Sequence, residues 1–313
     1  MTRARREKLV AVSIDLDEID NYTAIHGLSG SLQVPPSAVY DRALPRFAAL
    51  FAELHIPATF FAIGRDLTKR ANAMQLSALR EQGHEIGNHT LGHFYDLTRL
   101  DRATQEREVR GGADAIEAAV GVRPIGFRAP GYTIDDKLFE VLVSEGVVYD
   151  SSVFPCPLYY LPKAAMIGVI KLRGSESRSI VDDPRVLLAP ADPYRIGQPY
   201  YQRGSGLLEL PIGVSGDLSG RVPYFGTSVV LAGELGARVL TKLACARDFV
   251  NLELHGLDLA DAEEDGLTAL AAYQPDLRRS AKQKRAALVS AFTELKRQGY
   301  RFVTLAEAAR HYS

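Results

Sequence analysis

The chain has 313 residues, 46% apolar and 24% charged, with a formal net charge of −1. Such a length holds one large α/β domain or two small ones around an extensive core, and the even charge balance excludes a global basic field that would recruit nucleic acid. Two cysteines, Cys156 and Cys245, are too few for a disulfide framework, and their separation does not suggest a metal knuckle. The start, Met1 to Lys8, is basic but runs straight into a short apolar strand, so it lacks the apolar core of a cleavable signal. No segment reaches the ~20 uninterrupted apolar residues of a membrane-spanning helix. The expected location is therefore cytoplasmic, with the basic start available for peripheral contact with an anionic membrane.

In chain order, Leu9-Val10-Ala11-Val12 reads as a buried strand that ends in Ser13-Ile14-Asp15-Leu16-Asp17. Two carboxylates at i,i+2 on a strand share a face, so one can bind a metal while the other works on metal-bound water. A helix is expected at 37–54, with Ala43, Phe47, Leu50, Phe51 and Leu54 as its apolar stripe. A buried strand at 56–64, a helix at 74–82 and a short strand at 84–88 follow, the last delivering His89 at its C-terminal end. His89-Thr90-Leu91-Gly92-His93 then places two imidazoles four residues apart, which on one helical turn point the same way and converge on a metal. An HxxxH pair is a weak signal by itself, since helices carry such pairs by chance; the upstream carboxylates strengthen it, and together they indicate a metal-dependent hydrolase.

Beyond it, the helix at 101–120 turns Val109, Ala113 and Ile116 inward and its Glu, Arg and Gln residues outward. A strand at 125–128 and a helix at 137–145, ended by Gly146, continue a β-α-β-α rhythm that implies parallel strands with helices outside. The rhythm breaks between about 154 and 246, a Pro-, Gly- and Tyr-rich stretch expected to elaborate the rim of a single 1–313 domain; within it 207–212 looks like a strand, with Pro211 favouring an edge. The pattern returns with Val250-Asn251-Leu252-Glu253-Leu254 before His255, an amphipathic helix at 281–297 and a last strand at 300–305. Asp15, Asp17, His89, Arg128 and His255 all fall at strand C-termini, where barrel enzymes keep their chemistry.

Taken in order, these residues resemble the polysaccharide deacetylase family, also called the NodB-homology or carbohydrate esterase four group. Ile14-Asp15-Leu16-Asp17 is similar to its paired-aspartate block, His89-Thr90-Leu91-Gly92-His93 to its H-[ST]-x-x-H block, and Arg128-Ala129-Pro130-Gly131-Tyr132 to its R-x-P-x-Y block. Asp150-Ser151-Ser152 resembles the aspartate-containing fourth block without its usual tryptophan, a residue this chain lacks, and Leu252-Glu253-Leu254-His255 resembles the L-x-x-H block. The resemblance covers about 9–150 and 249–305. It implies an α/β fold, a distorted parallel (β/α) barrel of about seven strands with a rim insertion, and hydrolysis of an N-acyl group, usually acetyl, from an amino sugar. It also implies that Asp17, His89 and His93 hold Zn2+, with Co2+ or Fe2+ as alternatives. Asp15 would then be the general base, Arg128 its partner and His255 the general acid.

The chemistry is consistent with those roles. An amide is a poor electrophile, and a metal both acidifies its water and polarises the acyl oxygen. A guanidinium from Arg128 would keep Asp15 ionised and oriented. Pro130-Gly131 forces a tight turn, which offers a backbone N–H near Tyr132 to the oxyanion. The expelled amine needs a proton, and His255 could give it, its tautomer fixed by Asp150 or Asp258. Of the other histidines, His55 and His311 are expected at the surface and His84 at the start of its strand. His26 lies in a polar loop that could overhang the pocket. Arg221-Val222-Pro223-Tyr224-Phe225-Gly226-Thr227 is the best substrate-contact candidate in the rim.

Three other readings compete. Asp-His-His is also the facial set of non-haem iron oxygenases, but there it occurs as a close H-x-D pair on a jelly roll, not on an α/β chain. A deformylase or other non-peptide C–N amide hydrolase keeps the fold and changes the bond. A catalytically inactive carbohydrate-binding relative would have lost the base or a ligand. The expected activity is thus a carbohydrate N-deacetylase acting on an N-acylated sugar or glycolipid, more naturally a lipid- or nucleotide-linked envelope precursor than a finished polymer. No nucleic-acid partner is expected, and nothing in the sequence fixes an oligomeric state.

Overall fold

Strand β1, Leu9–Asp15, has all seven residues buried. A strand covered on both faces is what a parallel sheet wrapped by helices requires. The computed structural model describes residues 7–28, 30–172, 180 and 183–313; the basic start at 1–6 lies outside the described residues. The other strands are β2 (Thr59–Ala62), β3 (Glu85–Asn88), β4 (Gly126–Phe127), β5 (Tyr149–Asp150), β6 (Tyr194–Ile196), β7 (Arg203–Glu209), β8 (Phe249–His255) and β9 (Arg301–Val303). They form one sheet in the order β6-β7-β5-β4-β3-β2-β1-β8, with β9 beside the start of β1. Every pairing is parallel except β6 on β7. This curled sheet of parallel strands is the distorted barrel expected of the chain.

Register sets the site. Asp15 pairs with His255 and with Phe61, Asn88 with Phe127, Phe127 with Asp150, and Asp150 with Glu209, so the strand ends form one rim. The gap between β7 and β8 is closed by irregular backbone: the Gly213 amide donates to the Asn251 carbonyl at 2.8 Å. A Cβ on Gly213 would lie 2.4 Å from that oxygen, so glycine is required for the approach.

The helices are α1 (Ile19–Ile25), α2 (Leu44–Leu54), α3 (Arg70–Glu81), α4 (Arg102–Val120), α5 (Asp136–Ser144), α6 (Pro157–Leu172), α7 (Gly226–Ala244), α8 (Ala281–Arg297) and α9 (Leu305–Tyr312). The helix expected at 37–54 opens with a wide π-type turn, Val39–Ala43, before α2. Asp101 caps α4 through the Thr104 amide, and Val109, Ala113 and Ile116 face inward as expected. Not all of its polar residues face outward: Gln105 and Glu108 are buried, Glu108 accepting from the Gly92 amide between the two histidines and Gln105 donating to the Leu97 carbonyl further along.

Residues 154–246 do more than decorate the rim. They contribute β6 and β7 to the sheet and α7, kinked at Gly233, which packs along α8. The strand expected at 207–212 runs over 203–209 and ends before Pro211, which has no N–H to give. Nor is it an edge, because β6 pairs its outer side through Tyr194↔Glu209 and Arg195↔Leu208.

Candidate metal and active centre

The two histidines of the HxxxH pair converge, but not on a helix. His89 to His93 form a loop after β3, with Thr90 and His93 in the left-handed region at φ 69 and 60. Such conformations cost roughly 1 kcal/mol or more in residues other than glycine and persist where surroundings impose them. Here Asn88 Oδ1 accepts from the Thr90 amide at 3.0 Å, Thr90 Oγ1 from the His93 amide at 2.9 Å, and Glu108 Oε2 from the Gly92 amide at 2.6 Å.

The result is a three-atom cluster. His93 Nε2 lies 3.1 Å from Asp17 Oδ1, His89 Nε2 lies 3.3 Å from it, and the two Nε2 atoms are 3.2 Å apart. His89 Nδ1 donates to the Arg128 carbonyl at 2.7 Å, so in the neutral ring Nε2 is the nitrogen free to bind a metal. Asp17 Oδ1 is buried beside both rings yet hydrogen-bonded to neither. Arms of about 2.0–2.1 Å at tetrahedral angles separate donors by about 3.3 Å, so the three atoms fit around a zinc-like ion. Burial opposes the charge on Asp17, but the two imidazoles hold its carboxyl well below the usual carboxylate range.

Asp15 sits beside this cluster in the grip of Arg128. The guanidinium is fully buried and donates from Nη1 to Asp15 Oδ1 at 2.7 Å, from Nη2 to Ser13 Oγ at 2.9 Å and Ser151 Oγ at 2.8 Å, and from Nε to the Ser151 carbonyl at 2.8 Å. Its flat face covers the Phe61 ring at 4.3 Å. Asn251 braces the arrangement by accepting from Ser13 Oγ and donating to Ser151 Oγ. The second oxygen, Asp15 Oδ2, is 3.8 Å from His89 Nε2, on the side of the metal cluster. Sequence reasoning missed Ser13, Ser151 and Asn251. The signal was strand parity, since Ser13 shares a face with Asp15, and Asn251 with His255.

His255 lies across the rim, and its ring partner is neither aspartate that the sequence suggested. Nδ1 is 3.0 Å from Glu253 Oε1, while Nε2 is 3.3 Å from the Tyr132 hydroxyl. Asp258 instead accepts from the His255 backbone amide at 2.8 Å. Asp150 is tied to the amide and hydroxyl of Ser152, because β5 places it next to β7 and away from β8. Glu253 was legible as the residue two before His255 on the same strand face. Burial disfavours the imidazolium, but the Glu253 carboxylate prevails and raises the His255 pKa well above its usual range. Asp258 is pushed up to about 7 by burial and then by the charge of Asp276.

Pro130 does initiate a tight turn, with Gly131 in the left-handed region, but the Tyr132 amide is engaged there with the Ala129 carbonyl at 3.1 Å. What Tyr132 brings to the centre is its hydroxyl. His26 bonds Gln274 and packs on Tyr273, so it does not overhang the pocket; His84 accepts from the Ala58 amide at the start of β2, and His55 and His311 are exposed. Of the 221–227 segment, Pro223, Phe225 and Thr227 line the cavity above Asp15, Asp17 and His255, whereas Tyr224 is buried against Thr241.

Residues 36–149 match the family model for polysaccharide deacetylase, a span that contains His89, His93 and Arg128. The resemblance to the polysaccharide deacetylases holds. Among curated polysaccharide deacetylase relatives, a peptidoglycan deacetylase of Helicobacter pylori is 27% identical over 151 residues, covering 47% of this chain and 50% of that protein. A peptidoglycan-N-acetylglucosamine deacetylase of Bacillus cereus is 32% identical over 33% of this chain and 46% of its own, and a chitooligosaccharide deacetylase of Sinorhizobium fredii is 39% identical over 30% and 43%. The chain thus spans about half the length of the curated relatives it matches. A crystal structure of a polysaccharide deacetylase-type protein from Mycobacterium smegmatis superposes with TM-score 0.57 at 19% identity, over 99% of this chain and 92% of that one. A mutant of a CE4 family pseudoenzyme gives 0.52 at 13%, over 97% and 68%. At such identities the likeness is one of fold.

Proposed function

We propose that the chain is a metal-dependent hydrolase that removes an N-acyl group, acetyl in the simplest case, from an amino-sugar substrate, and that it works in the cytoplasm on a lipid- or nucleotide-linked precursor. One observation carries the reading: a carboxylate locked by arginine and an imidazole backed by glutamate flank the Asp17–His89–His93 cluster. The relatives named for peptidoglycan and chitooligosaccharide deacetylation support the same bond type.

Asp17 Oδ1, His89 Nε2 and His93 Nε2 would hold the metal, Zn2+ in the first instance, which supplies acidification of a water and polarisation of the acyl oxygen. The chain's own groups move the protons. Arg128 occupies Asp15 Oδ1, so Oδ2 is the oxygen that takes the proton of the attacking water. His255 is held protonated by Glu253, and its Nε2–H is the proton that goes to the departing nitrogen. The Tyr132 hydroxyl, 3.3 Å away, orients that nitrogen's donor.

The test is metal content by elemental analysis together with acid release from N-acetyl and N-formyl sugars. Wild type and Asp15→Asn should each carry about one ion per chain, with turnover lost in Asp15→Asn, and His89→Ala and His93→Ala should lose both. Full turnover in Asp15→Asn removes the base assignment, and a chain that takes up no metal on reconstitution overturns the mechanism. Released formate in place of acetate would make it a deformylase on the same centre. Cell fractionation tests the location.

A further inference from the structure

The cavity above Asp15, Asp17 and His255 has a volume of about 510 Å³, a size that encloses one compact ligand. Its walls are apolar. Ile25 comes from α1, Leu158, Pro162 and Met166 from α6, and Phe225 and Leu231 from the start of α7. Tyr132, Phe154, Tyr159 and Phe225 interlock with ring centroids 4.9 to 6.1 Å apart, which makes one wall a fixed aromatic surface. Apolar surface continues out of the mouth along α6, where Leu158 is 52% exposed and Leu161 is 69% exposed.

The polar complement is small and largely committed. Ser228 Oγ donates to the Pro223 and Phe225 carbonyls at 3.0 and 2.7 Å, and Lys163 Nζ donates to the Gly131 carbonyl at 3.1 Å. A strand of sugars brings several hydroxyls per residue, and each would lose water here without a replacement partner. Two further groups line the cavity together with Asp17: the buried hydroxyls of Tyr22 and Tyr95, which have no hydrogen-bond partner among the described residues. Among the described residues the site therefore offers a few polar contacts beside the metal cluster and mostly apolar contact elsewhere.

We propose that the ligand is a monomeric N-acyl amide carrying an apolar group of about octyl size, its polar head at Tyr22, Tyr95 and Asp17 and its apolar group between α6 and α7. The amide part of this assignment rests on the deacylase reading; the apolar part rests on the cavity walls alone. The substrate class is thus an amphiphile and not an extended glycan chain.

The test is calorimetric binding to the zinc-loaded full chain bearing Asp15→Asn, with four probes: N-acetylglucosamine, chitotetraose, N-octanoylglucosamine and octyl N-acetylglucosaminide, the last two below their micelle concentrations. At least one octyl probe should bind tenfold or more tightly than both N-acetylglucosamine and chitotetraose, since each buried methylene contributes up to about fourfold. Leu158→Glu and Met166→Glu should shrink that ratio at least threefold while far-UV circular dichroism stays that of the parent. Affinity for chitotetraose equal to or above that for both octyl probes overturns the inference whatever the turnover, as does an unchanged ratio in both folded variants. Hydrolysis by the wild-type chain is read separately. Tight octyl binding with no cleavage of any amide refutes the deacylase reading and leaves the apolar ligand standing.

Discussion

Replacing Arg128 with methionine tests whether the buried guanidinium holds the centre together. The residue is fully buried and makes four hydrogen bonds, one of them to a carboxylate that is itself about 1% exposed. Methionine fills much of the volume but leaves Asp15 as an uncompensated buried charge, a change that costs about 3–5 kcal/mol. At about 2.1 cal/mol/K per residue, the unfolding entropy of 313 residues is about 0.66 kcal/mol/K, so the midpoint should fall by about 5–8 °C. Adding Asp15→Asn removes the stranded charge and should restore about half of the loss. The remainder belongs to Ser13 Oγ and the Ser151 carbonyl, each of which loses its Arg128 donor at roughly 1 kcal/mol. Calorimetric melting of wild type, both single variants and the double variant, all in the apo form, measures the cycle. A drop below about 2 °C in Arg128→Met, or strict additivity in the double variant, would refute the reasoning, because either shows that the two charges do not depend on each other.

Three further outcomes are expected. Because Asp258 is raised to about 7 in the fold from an ordinary 3.8, the unfolded chain ionises first as pH rises, so this group lowers stability progressively between about 4 and 7; melting curves across that window should show a shallower decline in Asp258→Asn, and identical slopes would remove Asp258 as a source. Glu253→Gln takes away the carboxylate that favours the His255 imidazolium, so the alkaline limb of the pH–rate profile should move to lower pH, and a limb that stays in place reassigns the acid. Gly213→Ala puts a Cβ 2.4 Å from the Asn251 carbonyl and should cost about 1–3 kcal/mol, a fall of about 2–5 °C; a midpoint within 1 °C of wild type would mean the closure between β7 and β8 is loose.

The sequence alone determined the parallel strands, their helices and the rim on which the chemistry lies, because hydrophobic periodicity and strand parity are local properties that burial then enforces. The helix at 281–297 shows this, since α8 occupies that span, and Ala281 follows the Ser280 cap. It also named Asp15, Asp17, His89, Arg128 and His255, each read from a strand end. What periodicity could not decide was long-range pairing. The two imidazoles converge through left-handed residues imposed by Asn88 and Glu108, not through a helical turn. The 154–246 stretch reads as irregular because β6 and β7 are short and acquire their partners only from distant strands. His255 is backed by Glu253 and not by Asp150 or Asp258, a choice set by which strand lies beside which. Side chains at i,i+2 follow from the chain's own pleat, whereas contacts across strands depend on sheet order and register, and those exist only once the barrel has closed.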